Sequence, residues 1–355
     1  MDDVLSKRYG FGPAFAAEWL RVWGSDLSEL LGAQDGSVDQ LWGDFTLSAN
    51  LRGREMAVDV ASRLSWGTPS LAGRRALDLG CGIGGTAVAL AELGAATMGV
   101  DLDPDRVKLA AANALDRKIE VGLSTTDVLD PAARDGIGQF DVIVAEDVLE
   151  HVADAADGVA ALAELLAQGG LARVTIPNGD AVPLVIADGH YLLPGLTLLD
   201  DRKQAAAYFN ASFEWGEYDV GDYHSYDDYV GWFEGAGLTV AAVELVDEMP
   251  WQAIDAEFAQ AQQAVAAAAA DVGLPSVVRG GLVSGWAAYA ERVQLARSRG
   301  VDFAKPRVGA RFWRFYVTKG KTRRGFAMRV PPRWAWRAMV KALPGVTGLV
   351  RAIRR

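Results

Sequence analysis

Apolar residues follow two different periodicities along the chain. Before residue 70, apolar spacings of three and four predict helices over 14–31 and 51–64. From Arg75 onward, short apolar runs bounded by glycine or acidic residues predict strands instead. These runs cover 76–79, 97–100, 119–123, 140–145 and 171–176. Helices are predicted between them: one ends at about Glu92, one begins at Pro104 after an N-cap at Asp103, and one covers 154–167 and is closed by Gly169 and Gly170. Strands alternating with helices predict βαβ units and a parallel sheet.

The second half of the chain adds a helix over 225–236, a strand over 238–246 and a last strand over 311–318. Two stretches interrupt the pattern. One, over 178–224, is aromatic and acidic, and the other, over 248–302, is alanine-rich and largely helical. The sequence therefore predicts an α/β, doubly wound sheet with inserts, divided into a helical N-terminal cap (1–70), a core (71–246) with a lid or substrate insert (178–224), a helical insert (247–310), the last core strand (311–318) and a basic tail (319–355).

Composition narrows the function classes. The 355 residues are 50% hydrophobic and carry a net charge of −11, which argues against nucleic-acid binding. The single cysteine, Cys81, excludes an intramolecular disulfide framework, and we expect it to be a small buried thiol. No long uncharged apolar run is present, and no apolar stretch follows the acidic N-terminus, so we expect no membrane span, no signal peptide and a cytoplasmic protein.

Charge is distributed unevenly along the chain. Residues 303–355 contain 15 Lys and Arg residues and no acidic residue. Within this tail, 332–343 predicts a short helix with a basic face beside an apolar face that contains tryptophan. Such a helix indicates either weak contact with an anionic membrane, which would make the protein peripheral at the inner face, or packing on the protein's own acidic body.

A glycine-rich turn follows the first predicted strand. Residues 77–85 read Leu-Asp-Leu-Gly-Cys-Gly-Ile-Gly-Gly and precede a helix, so a ligand can approach the backbone beside the helix N-terminus. Asp101 ends the second predicted strand, 21 residues after Gly80, where an acid can accept from ribose hydroxyls. The turn and this acid fit a nicotinamide dinucleotide and an adenosine sulfonium compound equally well.

Further acidic residues distinguish between these two ligands. Asp78 precedes the glycine turn, Asp127 lies near the end of the third predicted strand, and Glu146 and Asp147 follow the fourth. Carboxyl ends of parallel strands form the ligand-binding edge of open α/β sheets. Carboxylates there repel a pyrophosphate and attract the sulfonium and ammonium groups of S-adenosylmethionine. The pattern therefore favours S-adenosylmethionine over NAD.

These segments together resemble a known family. The chain is similar to the class I S-adenosylmethionine-dependent methyltransferases, and in particular to their ubiquinone/menaquinone-methyltransferase-like branch. The resemblance covers about 71–178, and more loosely 224–246. It is carried by Leu-Asp-Leu-Gly-Cys-Gly-Ile-Gly (77–84), Gly-Val-Asp-Leu-Asp (99–103), Thr-Asp-Val (126–128), Phe-Asp-Val-Ile-Val-Ala-Glu-Asp-Val-Leu-Glu-His-Val (140–152) and Leu-Leu-Ala-Gln-Gly-Gly (165–170). It implies a Rossmann-like seven-stranded sheet whose last strand is antiparallel.

The resemblance also implies roles for individual residues. Those implied for the cofactor site are Gly80, Gly82 and Gly84 along its methionine and ribose part, Asp78 near its amino-acid end, Asp101 on the ribose hydroxyls, Leu102 on the adenine, Asp127 and Val128 at the adenine amino group, and Glu146 at the entrance to the transfer site. The insert over 247–310 departs from the family pattern, which usually has a hairpin there. The acceptor therefore does not follow from the resemblance.

Methyl transfer to a hydroxyl requires removal of a proton, and histidine is the usual base. The chain has three histidines, His151, His190 and His224, and each is a candidate base, with the carboxylate of Glu146 as the alternative catalytic group. No metal-ligand spacing is apparent, so no metal site is predicted.

We expect a methyltransferase that acts on a hydroxyl of a sugar, a glycan or a small metabolite. The segment over 188–199 is similar to methyltransferases that modify sugars of surface polysaccharides. N- or C-methylation of a metabolite, and a catalytically silent methyltransferase-like partner module, are the alternatives.

Overall fold

The computed structural model describes residues 5–25, 27, 38–64, 68–214 and 216–320. Helices account for most of the described residues outside the sheet. They are α1 (Pro13–Trp23), α2 (Val38–Leu47), α3 (Ala49–Leu64), α4 (Gly85–Glu92), α5 (Pro104–Arg117), α6 (Pro131–Ile137), α7 (Ala155–Leu165), α8 (Val182–Ile186), α9 (Arg202–Ser212), α10 (Tyr226–Gly235), α11 (Ile254–Ala270), α12 (Ser276–Ser298) and α13 (Val301–Ala304). Short π-helical turns cover Leu5–Tyr9 and Lys305–Gly309, and 3₁₀ turns cover Leu196–Leu198 and Trp251–Ala253.

Seven strands form one sheet. They are β1 (Arg75–Leu79), β2 (Ala96–Asp101), β3 (Gly122–Thr125), β4 (Phe140–Glu146), β5 (Leu166–Pro177), β6 (Leu238–Glu248) and β7 (Ala310–Lys319). Their order is β3-β2-β1-β4-β5-β7-β6, with β7 antiparallel, as the resemblance implies. β1 pairs in parallel with both β2 and β4, and Leu79 lies opposite Val100 on one side and Ala145 on the other. This register aligns the carboxyl ends of the three strands.

Two compact units divide the chain. Of the described residues, the first unit comprises those up to Ala145, together with Glu164–Arg173 and 318–320, and the second comprises those within Glu146–Ala163 and Val174–Val317. These two units do not correspond to the predicted domains, which divide the chain into a core, its inserts, a cap and a tail. The predicted domain boundaries stay a prediction.

The first unit joins the N-terminal helices closely to the glycine-rich turn. Its core contains Met56 and Val60 of α3, Leu90 of α4 and Val142 of β4. α3 and α4 approach so closely that a Cβ on Gly53 would overlap the main chain of Gly85. The Asp116 carboxylate of α5 accepts from the main-chain amides at the start of α1, which satisfies donors that a helix N-terminus leaves unpaired. The N-terminal helices are therefore part of the first unit's packing.

The second unit has its own apolar core. Its buried members include Val182 of α8, Phe209 of α9, Val265 of α11 and Tyr289 of α12. α10 begins at a capping box, in which the Ser225 hydroxyl accepts from the Asp228 amide and the Asp228 carboxylate accepts from the Ser225 amide. The predictions of largely helical structure over 248–302 and of a helix over 225–236 are confirmed.

Three predicted boundaries are wrong for local reasons. The helix predicted over 14–31 ends at Trp23, because Gly24 adopts φ +67° and its amide donates to the Leu20 carbonyl. The third strand begins at Gly122 rather than 119, because the Ile119 amide still donates to Ala114 at the end of α5. Gly169 and Gly170 lie inside β5 rather than at the end of a helix. A Cβ on Gly170 would come within 3.1 Å of the Asp141 carbonyl, so glycine permits this close approach.

The Asp103 cap of α5 is confirmed, since its carboxylate accepts from the amides of Asp105 and Arg106. The basic helix predicted over 332–343 lies outside the described residues. Among the helices that the structure describes, none combines the length and the apolar character that a membrane crossing needs.

Candidate active site

The glycine-rich turn of the first unit has a backbone that only glycine adopts easily. Gly80, Gly82 and Gly84 have φ values of +68°, +50° and +81°. Apart from its chain neighbours, no described residue has an atom within 4 Å of the position that a Cβ on Gly82 would occupy, whereas a Cβ on Gly84 would contact Ala110 at 2.8 Å. Gly84 is therefore required by packing against α5, and Gly82 faces open space that a ligand can enter.

Asp101 fixes the shape of this turn. Its Oδ2 accepts from the Gly82 amide at 2.8 Å, and its Oδ1 accepts from the Asp103 amide at 3.0 Å. A carboxylate has about four lone-pair positions. Each oxygen of Asp101 therefore keeps capacity for a further donor, such as a ribose hydroxyl.

Asp78 is held differently. Its side chain is buried, with 4% of the residue exposed, and its Oδ2 accepts from the Ala87 amide at 2.8 Å in the first turn of α4. A carboxylate at this end of a helix satisfies an unpaired donor and interacts favourably with the helix dipole. Asp78 thus anchors the helix that follows the glycine turn.

The remaining predicted adenosine contacts lie beside Asp101. Leu102 is 66% exposed, so its apolar side chain is accessible to a ligand. The Thr126 amide donates to the main-chain carbonyl of Asp101 at 3.0 Å, which brings Asp127 and Val128 to the same edge. The exposed Asp127 carboxylate accepts from the Leu129 amide at 2.8 Å.

These residues fit the adenosine part of S-adenosylmethionine. The space beside Gly82 allows close approach to the backbone, Asp101 keeps acceptor capacity, and Leu102 offers an apolar surface to an adenine ring. The structure thus places together the glycines, Asp101, Leu102 and Asp127 that the sequence predicts for the cofactor.

The second unit contains a cluster of chemically active side chains. Glu150 and His151 follow β4, and His190 lies in the loop after α8. One potential ligand atom of each residue lies within 4.8 Å of those of the other two. The imidazole rings of His151 and His190 are 5.2 Å apart and nearly perpendicular. We call these three residues the His–Glu cluster.

Glu150 is the unusual member of the cluster. It is 2% exposed, and neither carboxyl oxygen has a hydrogen-bond partner among the described residues. Burial, together with the negative charges of Asp147 and Glu146, raises its pKa well above the usual range. A buried ionised carboxylate without a partner is costly, so this position favours a neutral carboxyl or a cation beside it.

His151 has a defined tautomer when it is neutral. Its Nδ1 lies 3.0 Å from the main-chain carbonyl oxygen of Asp219. A carbonyl oxygen only accepts, so Nδ1 must carry the hydrogen and Nε2 keeps a free lone pair. The Gly221 amide donates to the Glu150 carbonyl, which ties the same two segments together.

His190 is positioned by a buried acid. The fully buried Asp188 carboxylate accepts from the amides of His190, Tyr191 and Leu193 at 2.7–2.9 Å, and these bonds fix the loop. The His190 Nδ1 lies 3.2 Å from the Tyr223 hydroxyl. Burial and the neighbouring His151 lower the pKa of His190 to about 4, so its ring is neutral near pH 7.

The other predicted residues lie in varied surroundings. His224 is outside the His–Glu cluster and contacts the rings of Tyr229 and Trp232. Glu146, at the end of β4, is half-buried. Cys81 is buried, as predicted, and burial with the nearby Asp78 charge raises its pKa. The structure thus brings together two of the three candidate histidines.

Sequence reasoning missed Glu150, Asp188 and Tyr223. Glu150 stands within the 140–152 motif without a predicted role, although an acid four residues after a buried strand is a usable signal. Asp188 and Tyr223 act through contacts with His190, one of them 33 positions away in sequence, and the sequence gives no sign of this pairing.

Comparison with known proteins gives consistent results. Residues 77–172 match the family model described as a methyltransferase domain. The chain is similar to the ubiquinone biosynthesis O-methyltransferase of Caulobacter sp. (strain K31), with 34% identity over 38% of this chain and 53% of that protein. The protein of the same name from Xanthomonas euvesicatoria pv. vesicatoria (strain 85-10) is 29% identical over 51% of this chain and 70% of that protein.

Among solved structures, the magnesium protoporphyrin IX methyltransferase of Synechocystis PCC 6803 with bound SAH aligns with a TM-score of 0.42 and 18% identity, over 69% of this chain and 93% of that one. The alignment with the Caulobacter protein spans about half of its length. The matched segment contains the glycine turn, Asp101 and the acids that favour a sulfonium ligand. The chain therefore contains a class I S-adenosylmethionine-dependent methyltransferase domain, with S-adenosylmethionine as its cofactor.

Proposed function

We propose that this protein transfers a methyl group from S-adenosylmethionine to a hydroxyl oxygen of a sugar, a glycan or another small molecule. The observation that carries the proposal is the His–Glu cluster, because a hydroxyl must lose its proton when its oxygen is methylated. The relatives named O-methyltransferases support the same class of acceptor atom.

Glycine-turn residues hold the cofactor in this proposal. The Gly82 backbone and the remaining lone pairs of Asp101 bind the ribose part, and Leu102 covers one face of the adenine. When bound, S-adenosylmethionine supplies a methyl group whose bond to sulfur breaks with the electron pair left on sulfur.

The His–Glu cluster promotes removal of the acceptor proton. Nε2 of His151 has its lone pair available because Nδ1 is held by the Asp219 carbonyl. Glu150 is buried and the two histidines are half-buried, so electrostatic interactions with a developing oxyanion are stronger there than in bulk water. An amine acceptor needs less help of this kind, which is why the cluster favours oxygen over nitrogen.

A methylation assay tests the proposal. Purified protein with labelled S-adenosylmethionine should methylate members of a panel of sugars, glycans and phenols, and the product's methyl should be on oxygen. The His151→Gln variant should lose about 10²- to 10⁴-fold in turnover while its affinity for S-adenosylmethionine is kept.

The matched control is His224→Gln, since His224 lies outside the cluster. A product methylated on nitrogen or carbon would replace the proposed chemistry with one of the alternatives. Cofactor binding without methylation of any acceptor in the panel would favour a silent module.

A further inference from the structure

We propose that the His–Glu cluster is a binding site for one divalent transition-metal ion, with Glu150, His151 and His190 as its protein ligands. All three residues belong to the second unit. Only the role of the metal, which is to bind and acidify the acceptor hydroxyl, rests on the function proposed above.

The donor set is the first argument. Each of the three residues offers a ligand atom, and these atoms lie within 4.8 Å of one another. Two imidazole nitrogens and one carboxylate oxygen form a set that suits zinc, iron, cobalt or nickel, whereas Mg²⁺ prefers oxygen ligands. Zinc sites with two histidines and one glutamate leave a further position open for an oxygen of water or substrate.

The buried carboxylate is the second and independent argument. Glu150 is 98% buried, and no hydrogen bond or ion pair of its two carboxyl oxygens occurs in the part of the chain that the structure describes. Isolated buried carboxyl groups are rare in proteins because they lose the hydrogen bonds that water gives them. A bound cation satisfies both oxygens and removes this penalty.

Orientation of the histidine rings is the third argument. Metal-bound histidines almost always donate their second ring N–H to a carbonyl, a carboxylate or water. The His151 Nδ1 faces the Asp219 carbonyl at 3.0 Å, so its Nε2 is the ligand atom. His190 has its Nδ1 3.2 Å from the Tyr223 hydroxyl and 4.0 Å from the Asp188 carboxylate. Both rings are thus held by outer partners before any ion binds.

A bound ion gives the open coordination position a chemical use. An oxygen bound to a divalent metal has a lowered pKa, so a hydroxyl held there loses its proton to solvent more easily. In this arrangement Nε2 of His151 is a ligand, so the expected loss of turnover in His151→Gln comes from loss of the ion rather than from loss of a base. The sequence shows no metal-binding motif because His190 is 39 positions from His151, so the two ligands come together only in the fold.

Direct metal binding is the test. The protein is produced without a polyhistidine tag, treated with a chelator, and titrated with Co²⁺ while visible ligand-field absorption is recorded. We expect one equivalent of Co²⁺ to bind, one equivalent of Zn²⁺ to displace it, and Mg²⁺ to have no effect. Few other groups of the chain compete for Co²⁺, since it has three histidines and its one thiol is buried.

Variants locate the ion. Glu150→Gln and His190→Gln should each weaken Co²⁺ binding by at least about 100-fold, the upper end of what loss of an outer-shell partner costs. His224→Gln should bind Co²⁺ as the wild type does. Thermal unfolding of the metal-free variants shows whether each one folds, and either cluster variant is sufficient if the other does not fold.

The inference is overturned if no Co²⁺ binds, if Mg²⁺ displaces Co²⁺, or if both folded cluster variants bind as tightly as His224→Gln. Methylation by the same preparations separates the two proposals. Methylation without metal binding removes the metal site and keeps the O-methyltransferase. Metal binding in a protein that methylates no hydroxyl keeps the site and removes the proposed function.

Discussion

The acids of the glycine-turn edge and the acid of the His–Glu cluster differ in how their oxygens are used. Asp78, Asp101 and Asp127 each accept at least one main-chain N–H, and these bonds hold α4, the glycine turn and the loop after β3 in place. Glu150 accepts none within the described residues. The three aspartates hold the backbone in place, whereas the lone pairs of Glu150 are not used by main-chain donors of the described residues.

Burial alone does not separate the two kinds of acid. Asp188 belongs to the same unit as Glu150 and is fully buried, yet it accepts three main-chain amides. The distinction depends on whether the lone pairs are already occupied. A buried acid with occupied oxygens is a structural element, and a buried acid with free oxygens is a candidate for chemistry.

The largest effect should come from removing a structural acid. Asp78→Ala leaves the Ala87 amide without its charged acceptor at the start of α4, and we expect the free energy of unfolding to fall by about 2–3 kcal/mol. Denaturant unfolding measures the change. Asp78→Asn, whose amide oxygen can still accept this bond, should lose less than half as much. An alanine variant as stable as the wild type would remove Asp78 from the structural group.

Asp101→Ala should weaken S-adenosylmethionine binding by about 1–3 kcal/mol, measured by calorimetry, because the turn loses its anchor and the ribose loses an acceptor. Asp105→Ala is the matched control. This exposed acid binds Lys108 and should not affect cofactor affinity. Equal affinities for the wild type and Asp101→Ala would contradict the cofactor site.

The smallest effect should come from Glu150→Gln in the metal-free protein. Its carboxyl has a raised pKa and no partner, so an amide of the same shape should change the free energy of unfolding by less than about 1 kcal/mol. Asp188→Asn should cost about 1–3 kcal/mol, because an amide has one acceptor oxygen for three donors. If Glu150→Gln cost as much as Asp188→Asn, the contrast between the two acids would disappear.

Sequence patterns predict most of the sheet and the position of the glycine turn correctly, because both depend on residues close together in the chain. Strand β4 is an unbroken apolar run, and Asp103, Pro104 and the glycine turn act within a few residues of where they stand. Strand β3 was displaced because its residues are weakly apolar and the end of α5 extends into the predicted run.

The His–Glu cluster depends on contacts between distant segments. His151 was predicted as a candidate base from its place after β4. Its association with His190 depends on the packing of the loop after α8, and the Asp219 carbonyl that selects its tautomer is a main-chain atom. No side-chain pattern reports such an atom. The sequence alone predicts no metal site, and the Co²⁺ titration tests this prediction.

The contact between Gly53 and Gly85 has a consequence for where the chain can be cut. α3 lies against the first residue of α4 with no room for a side chain. Removing α3 would therefore expose α4 and the apolar residues that share a core with Met56 of α3, such as Leu90 and Val142. A fragment that begins near residue 70 should then be prone to aggregate, although the matched methyltransferase segment starts at 77. Domain exchange between relatives would have to move α3 and the glycine turn together.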